Sequence, residues 1–358
     1  MTSSTPTIGR PPQVAANSKG LRLDPQGLLD VTGPVDPEPL RAMAGRSVLH
    51  AGDFDRATVV ELAKLAALLE TQDVEGSKPL DGRIVITAFF EASTRTRLSF
   101  ESAVLRLDGK VLSVPDGQVT GIAKGESLAD IGEMFNTYGD LVVVRHPDTE
   151  SIHELGRNLM VPLVNAGNGS GQHPSQALLD WYTLLKWRPS LALPEVPESD
   201  RIELGIIGTP GSMRAVKSFV RMALLFPRAI RRITIVSELV DPVGLDLGVA
   251  VERAPIEVRS TNDVTEVLGD LDVIYMNSIA LLGDSYRQLD SRYRLSSSSP
   301  FRDGAVIMHP LARRDELATD LDDTDRNLYF AQAASAVFSR QALLVSALGR
   351  LGRVPGVG

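Results

Sequence analysis

The stretch Phe89–Glu101 reads FFEASTRTRLSFE, and the hydrophobic period of the chain changes inside it. Just before and into it, Arg83-Ile-Val-Ile-Thr-Ala-Phe-Phe is a short apolar, β-rich run of the kind that fills a buried strand. Toward its end and beyond, Phe100, Ala103, Val104 and Leu107 recur at i, i+3, i+4 and i+7, which is one face of a helix. The run Ser93-Thr94-Arg95-Thr96-Arg97 therefore stands where a strand ends and a helix begins. The first N–H groups of a helix have no intrahelical partner and carry partial positive charge. Hydroxyls and two guanidinium groups gathered at that point suit a phosphate, because backbone donors, hydroxyl donors and a fork-shaped cation can converge on one anion. A plain N-cap needs only one hydroxyl.

This segment resembles the carbamoyl-phosphate-binding signature of the aspartate/ornithine carbamoyltransferases, most closely the aspartate branch. The resemblance covers roughly Arg46 onward. It implies an α/β fold of two domains, each a mostly parallel sheet flanked by helices. It also implies transfer of the carbamoyl group of carbamoyl phosphate to a small amine, with no cofactor and no metal. Ser93, Thr94, Arg95 and Thr96 would then hold carbamoyl phosphate, Arg95 and Thr96 as catalytic residues.

The bulk properties agree with a two-domain enzyme. The chain has 358 residues, 43% of them hydrophobic, and a formal net charge of −8; that length suggests two domains. No basic patch of the nucleic-acid type occurs, so no nucleic-acid partner is expected. Cysteine is absent and five histidines are scattered, which removes disulfides and the usual metal spacings. No apolar run has the length of a membrane span, so no membrane partner is expected and a cytoplasmic location is the default.

Residues 1–40, rich in Pro, Gly, Ser and Thr, read as a flexible extension. A first domain is expected over 41–188 and a second over 201–330, with a Pro-rich linker at 189–200. A helix signal begins at Asp53 and continues through Val59, Leu62, Leu65 and Leu69. Lys110–Val114 and Leu141–Arg145 read as strands, and the βαβ rhythm argues for a parallel sheet. Arg145 ends its strand after four apolar residues, where an arginine must leave the core or meet an anion. Lys124-Gly-Glu-Ser-Leu-Ala-Asp130 resembles a family segment whose lysine reaches into a neighbouring subunit's site, which implies a homotrimer with shared active sites. The resemblance also gives Arg145 to carbamoyl phosphate.

Val161–Val164 reads as a further strand, followed by a glycine-bearing loop without dinucleotide-type G-x-G-x-x-G spacing. His173-Pro-Ser-Gln176-Ala-Leu-Leu-Asp180 matches the family pattern H-P-x-Q-x-L-x-D. A neutral histidine donor aimed at a carbonyl oxygen stabilises charge that develops on attack, and Gln176 can accept from an amide NH2. After the linker a second βα series begins at Glu203–Gly208, with later strands at Arg232–Val236, Asp272–Met276 and Ala305–Met308. Arg214 falls where the family grips the acceptor's α-carboxylate. Phe338-Ser-Arg-Gln-Ala-Leu-Leu resembles the family's last helix, so 331–352 is expected to pack back on the first domain.

Two positions depart from the family pattern. Where the aspartate branch has T-R-x-Q after Tyr-Met, this chain has Asn277-Ser278-Ile279-Ala280. A buried carboxylate left without its arginine costs several kcal/mol, roughly 2–5, and Ser278 cannot replace a bidentate guanidinium. The family H-P-L-P is His309-Pro310-Leu311-Ala312 here. A cis bond before a non-proline costs about 2.5–4 kcal/mol, which favours trans at Leu311–Ala312. Leu311 is otherwise expected to face the carbamoyl NH2. The main expectation is a carbamoyltransferase with an amino-acid-like acceptor other than aspartate, held by Arg214, Asn277 and Ser278. Two alternatives stand beside it: aspartate carbamoyltransferase of pyrimidine biosynthesis, its missing cation supplied by Arg287 or Arg221, and a non-catalytic homologue with a structural or regulatory role.

Overall fold

Strand β1 (Ile84–Phe89) is the centre of the first sheet. It pairs in parallel with β2 (Lys110–Val114) on one side and β3 (Leu141–His146) on the other, and β4 (Leu163–Asn168) closes the order β2-β1-β3-β4. The structure, a computed structural model, describes residues 19–72, 76–117, 121, 125–277 and 293–357. The second sheet has the order β7-β6-β5-β8-β9, again all parallel. Its strands are β5 (Ile202–Ile207), β6 (Ile230–Val236), β7 (Glu257–Thr261), β8 (Val273–Met276) and β9 (Val306–Met308). The central strands β1, β3, β5 and β8 are almost wholly apolar and buried, as parallel strands covered on both faces must be.

Ten helices connect and cover these strands among the described residues: α1 (Pro25–Thr32), α2 (Pro37–Arg41), α3 (Arg56–Thr71), α4 (Thr94–Arg106), α5 (Leu128–Tyr138), α6 (Ser151–Gly156), α7 (Pro174–Trp187), α8 (Arg214–Ala223), α9 (Gly244–Arg253) and α10 (Tyr329–Ala347). The sheets are joined through α7 and α8, which pack on each other. Trp181 of α7 stacks on Phe226 at 4.0 Å and faces Phe219 of α8 at 6.1 Å, and Phe219 stacks on Tyr275 of β8 at 4.1 Å. Helix α10 returns from the second sheet to pack on α3, α4 and α7.

Each sheet has a switch point where the chain turns from one side of its central strand to the other: between β1 and β3, and between β5 and β8. Ligands of open α/β sheets bind outside the strand ends at such points. Register levels those ends. Phe89 lies opposite Arg145, and Ile207 opposite Met276.

Several boundaries differ from expectation. Residues 25–41 are not a flexible extension. Asp24 and Asp36 accept from the N–H groups of Gln26 and Glu38 at 2.9 and 3.0 Å, each ahead of a proline in the first turn. Leu28 and Leu40 are fully buried in the main core. The N-cap of α3 is Asp55, whose carboxylate accepts from Thr58 N–H, while Asp53 sits in a preceding 3₁₀ turn. Strand β4 runs through Asn165 to Asn168, beyond the expected apolar Val161–Val164, because Asn165 is itself buried and hydrogen-bonded to Leu49 and Asn168. The linker region carries two 3₁₀ turns, Pro189–Ala192 and Glu198–Asp200. Strand β7 and helix α9 were not anticipated; both are largely exposed and lack a clear apolar period.

Candidate active site

The C-terminal ends of both sheets face a cavity of about 900 Å³. Ser93, Thr94, Arg95, Thr96, Arg145, His173, Gln176, Arg214, Asn277 and Leu311 all line it. Lys124 and Ser278, along with Ala280 and Arg287, lie outside the described residues. Arg221 is not in the cavity; it pairs with Asp246 of α9.

The loop after β1 enters α4 at Ser93, whose backbone is extended (φ −159°, ψ 95°) and whose hydroxyl makes no capping bond. Uncapped N–H groups at this turn are left for a ligand. Thr96 is buried and Arg95 faces the cavity with no carboxylate partner among the described residues. Arg97, expected beside Arg95, points elsewhere: two residues on a helix are about 200° apart, and its guanidinium lies 3.4 Å from Ser113 Oγ and 3.9 Å from Glu101. The turn is braced from α10. Arg340 donates to Ser99 Oγ, and Ser99 Oγ donates to the Arg95 and Thr96 carbonyls.

Glu91 is the acid of this cavity. Its Oε1 accepts from Arg145 Nη2 at 3.0 Å and from Arg214 Nη2 at 2.9 Å, and its Oε2 accepts from Arg214 Nη1 at 2.8 Å. Burial alone would raise the Glu91 carboxyl, but the two arginines outweigh it and hold it below its ordinary value. Burial, with Arg214 adding repulsion, lowers Arg145 to about 10. The buried Nε of Arg145 has no partner among the described residues, a donor that an anion in the cavity can satisfy. Gly167, at φ 112°, makes room: a Cβ there would stand 3.1 Å from Arg214 Nε and 3.3 Å from Arg145 Nη1.

His173 is 4% exposed. Burial, reinforced by Arg145, Arg214 and Arg340, pushes its imidazole well below 6.5, so the ring is neutral. Ser175 Oγ lies 3.3 Å from Nδ1, and Nε2 has no partner among the described residues. Ser175 Oγ also lies 3.4 Å from Asn165 O; when its proton goes to Nδ1 instead, Nε2–H is left as a donor for a carbonyl oxygen. Helix α8 fixes the loop that carries this ring. Arg214 donates to Gly169 O at 3.0 Å and Lys217 to Ser170 O at 3.2 Å. Ser218 Oγ accepts from His173 N–H and donates to Gln172 Oε1, both at 2.8 Å.

The Leu311–Ala312 peptide is cis although no proline follows Leu311, and Leu311 has φ 56°. Its N–H donates to His309 Nδ1 at 2.9 Å, and His309 Nε2 donates to the buried Glu316 at 3.0 Å. Glu91, Ser218, His309, Gln332 and Arg340 were not singled out from the sequence. Glu91 sits inside the quoted stretch, where its charge was the available signal.

A neutral imidazole donor, an uncapped helix start and buried guanidiniums around one cavity can hold a small phosphorylated anion and polarise a carbonyl beside it. That is the equipment of a transferase that moves an acyl-type group off phosphate. Comparison with known proteins narrows the class. Residues 46–186 match the aspartate/ornithine carbamoyltransferase, carbamoyl-P binding domain. The aspartate carbamoyltransferase catalytic subunit of Thermoplasma volcanium is 34% identical over 318 residues, covering 86% of this chain and 99% of that one. The catalytic subunit of Picrophilus torridus is 37% identical over 278 residues, covering 76% and 87%. Among solved structures, aspartate transcarbamoylase of Trypanosoma cruzi in complex with carbamoyl aspartate and phosphate superposes with a TM-score of 0.76 at 31% identity, covering 87% of this chain and 98% of that one. The chain belongs to the aspartate/ornithine carbamoyltransferase family and is closest to its aspartate carbamoyltransferase catalytic chains.

Proposed function

We propose that this enzyme transfers the carbamoyl group of carbamoyl phosphate to the amine of an amino acid. The acceptor amine attacks the carbonyl carbon, the bond from that carbon to the bridging oxygen breaks, inorganic phosphate leaves, and the amine loses a proton. Ser93, Thr94, Arg95 and Thr96 hold the phosphate at the start of α4. Arg145 spans phosphate and carbonyl, and His173 donates to the carbonyl oxygen as charge develops there. Gln176 and the Leu311 segment accept from the carbamoyl NH2, and Arg214 takes the acceptor's carboxylate. The observation that carries this reading is the neutral, buried His173 in the same cavity as the uncapped start of α4. The reading extends to a first domain over 41–188, a second over 201–330, and a cytoplasmic homotrimer into whose neighbouring sites Lys124 reaches.

L-aspartate is the acceptor that the relatives' names support, ahead of the other amino acids expected from the sequence. A second reading, a neutral or cationic amino acid, rests on one observation: Ser278 and Ala280 stand where the family pattern has Arg and Gln. The experiment is phosphate release from carbamoyl phosphate across a panel of amino acids. A kcat/KM of about 10⁴ M⁻¹s⁻¹ or better with L-aspartate establishes the first reading. Preference for another amine by more than about 30-fold, the low end of a lost charge pair, establishes the second. In that case Ser278→Arg with Ala280→Gln raises activity toward aspartate. No release with any amine rejects carbamoyl transfer and leaves the non-catalytic homologue.

A further inference from the structure

The residue that ties the two walls of the cavity together is Asp180, four positions after Gln176 on α7 and 0% exposed. Its Oδ1 accepts from Gln176 Nε2 at 2.8 Å and from Gln332 Nε2 of α10 at 2.6 Å. Its Oδ2 accepts from Tyr275 Oη of β8 at 2.8 Å. Both carboxamides therefore spend their NH2 groups on one carboxylate.

An ionised carboxylate can only accept. It thus dictates which end each neighbouring amide presents elsewhere. Gln176, which lines the cavity, is left with its oxygen free of any partner among the described residues. Gln332 is left with its oxygen on His309 N–H at 2.9 Å. His309 in turn receives the Leu311 N–H on Nδ1 and is locked by Glu316 on Nε2. Gln176 and the Pro310–Leu311 segment, which both line the cavity, thus take their setting from the same carboxylate.

We propose that Asp180 is a positioning residue that makes the site select an NH2 substituent on the transferred carbonyl group, by holding Gln176 and, through Gln332 and His309, the Leu311 segment as acceptors. This rests on the carbamoyl-transfer reading and adds to it the origin of donor selectivity. A site built to hydrogen-bond an NH group rejects an analogue lacking it by up to about 10⁴-fold. The analogue here is acetyl phosphate, in which a methyl group replaces the NH2. Replacing Asp180 by leucine removes the acceptor shared by both carboxamides, whereas asparagine can keep its oxygen on both NH2 groups and turn its own NH2 to Tyr275 Oη.

The experiment measures kcat/KM for carbamoyl phosphate and for acetyl phosphate in the full-length protein and its Asp180→Leu, Asp180→Asn and Gln332→Leu variants, with inorganic phosphate as competitive inhibitor. Wild-type protein prefers carbamoyl phosphate. Asp180→Leu lowers that preference at least tenfold, Gln332→Leu lowers it by a smaller factor, and Asp180→Asn keeps most of it. Inhibition by phosphate changes less than twofold, because α4 still holds that group. A purely structural role would lower both activities together and leave the ratio unchanged, and that result overturns the proposal. If Asp180→Leu does not fold, an unchanged ratio in Gln332→Leu overturns it. Failure of the carbamoyl-transfer reading looks different: wild-type protein then releases no phosphate from carbamoyl phosphate at all.

Discussion

The two sides of the cavity are built in different ways. The side beneath the first sheet is assembled from strand ends levelled by register, an uncapped helix start and a neutral histidine clamped by α8. Each group is fixed by protein atoms before any ligand arrives. On the side of the second sheet, Arg214 already has both guanidinium nitrogens on Glu91, and the family pattern breaks immediately after Asn277. On the proposed reading, donor recognition is thus preorganised, while acceptor recognition rests on one arginine and on residues that follow β8.

Removing a donor-side cation should break the comparison most severely. Arg95→Ala and Arg145→Ala each take away a guanidinium meant for a dianion, where loss of a desolvated charge pair costs roughly 2–5 kcal/mol. Carbamoyl-phosphate affinity should fall by about 30- to several-thousand-fold, measured by equilibrium binding, and turnover should be lost. Near-normal affinity in either variant contradicts the assignment.

A smaller effect is expected at Ser218. Ser218→Ala leaves His173 N–H and Gln172 Oε1 each short of a buried partner, worth about 1–3 kcal/mol. Because the phosphate contacts are untouched, kcat should drop roughly tenfold while KM for carbamoyl phosphate changes less than twofold, a split that steady-state kinetics resolves. Ser218→Thr, which keeps the hydroxyl, should restore most of kcat. Equal changes in both parameters would remove α8 from the account of His173.

The mildest effect is in pH. Burial raises the Asp180 carboxyl to about 7, against donors from Gln332, Tyr275 and Gln176 and the nearby charge of Arg340. Protonation weakens the acceptor shared by the two carboxamides, so kcat/KM for carbamoyl phosphate should decline as pH falls through about 7. Stability should move the other way. The folded state keeps a proton that the unfolded chain loses near pH 3.9, so the contribution of Asp180 is greatest below about 4 and diminishes as pH rises to about 7. Urea midpoints of wild type and Asp180→Asn at pH 5 and pH 8 check the sign: the variant should gain on wild type as pH rises.

Much of the cavity's lining on the first-sheet side was legible in the sequence because its residues lie in local patterns. The strand–turn–helix junction at Ser93–Thr96, the strand end at Arg145 and the His173–Gln176 pair each fall within a few residues of a change in hydrophobic period. What stayed hidden is contact between distant segments. Arg340 reaches Ser99 and Gln332 reaches Asp180, pairs separated by 241 and 152 residues. No spacing rule relates such positions. Arg97 was misjudged because run composition was weighed without helix geometry. By contrast, the Asp24-Pro25 and Asp36-Pro37 pairs carried the ordinary signal of a helix start, obscured by the surrounding Pro- and Gly-rich composition.

The most direct test of the central claim is calorimetric titration of carbamoyl phosphate into the wild-type protein with no amino acid present. The preorganised donor side predicts saturable binding that inorganic phosphate competes away and that Arg95→Ala abolishes. Absence of binding until an acceptor is added, or binding unaffected by Arg95→Ala, would contradict it.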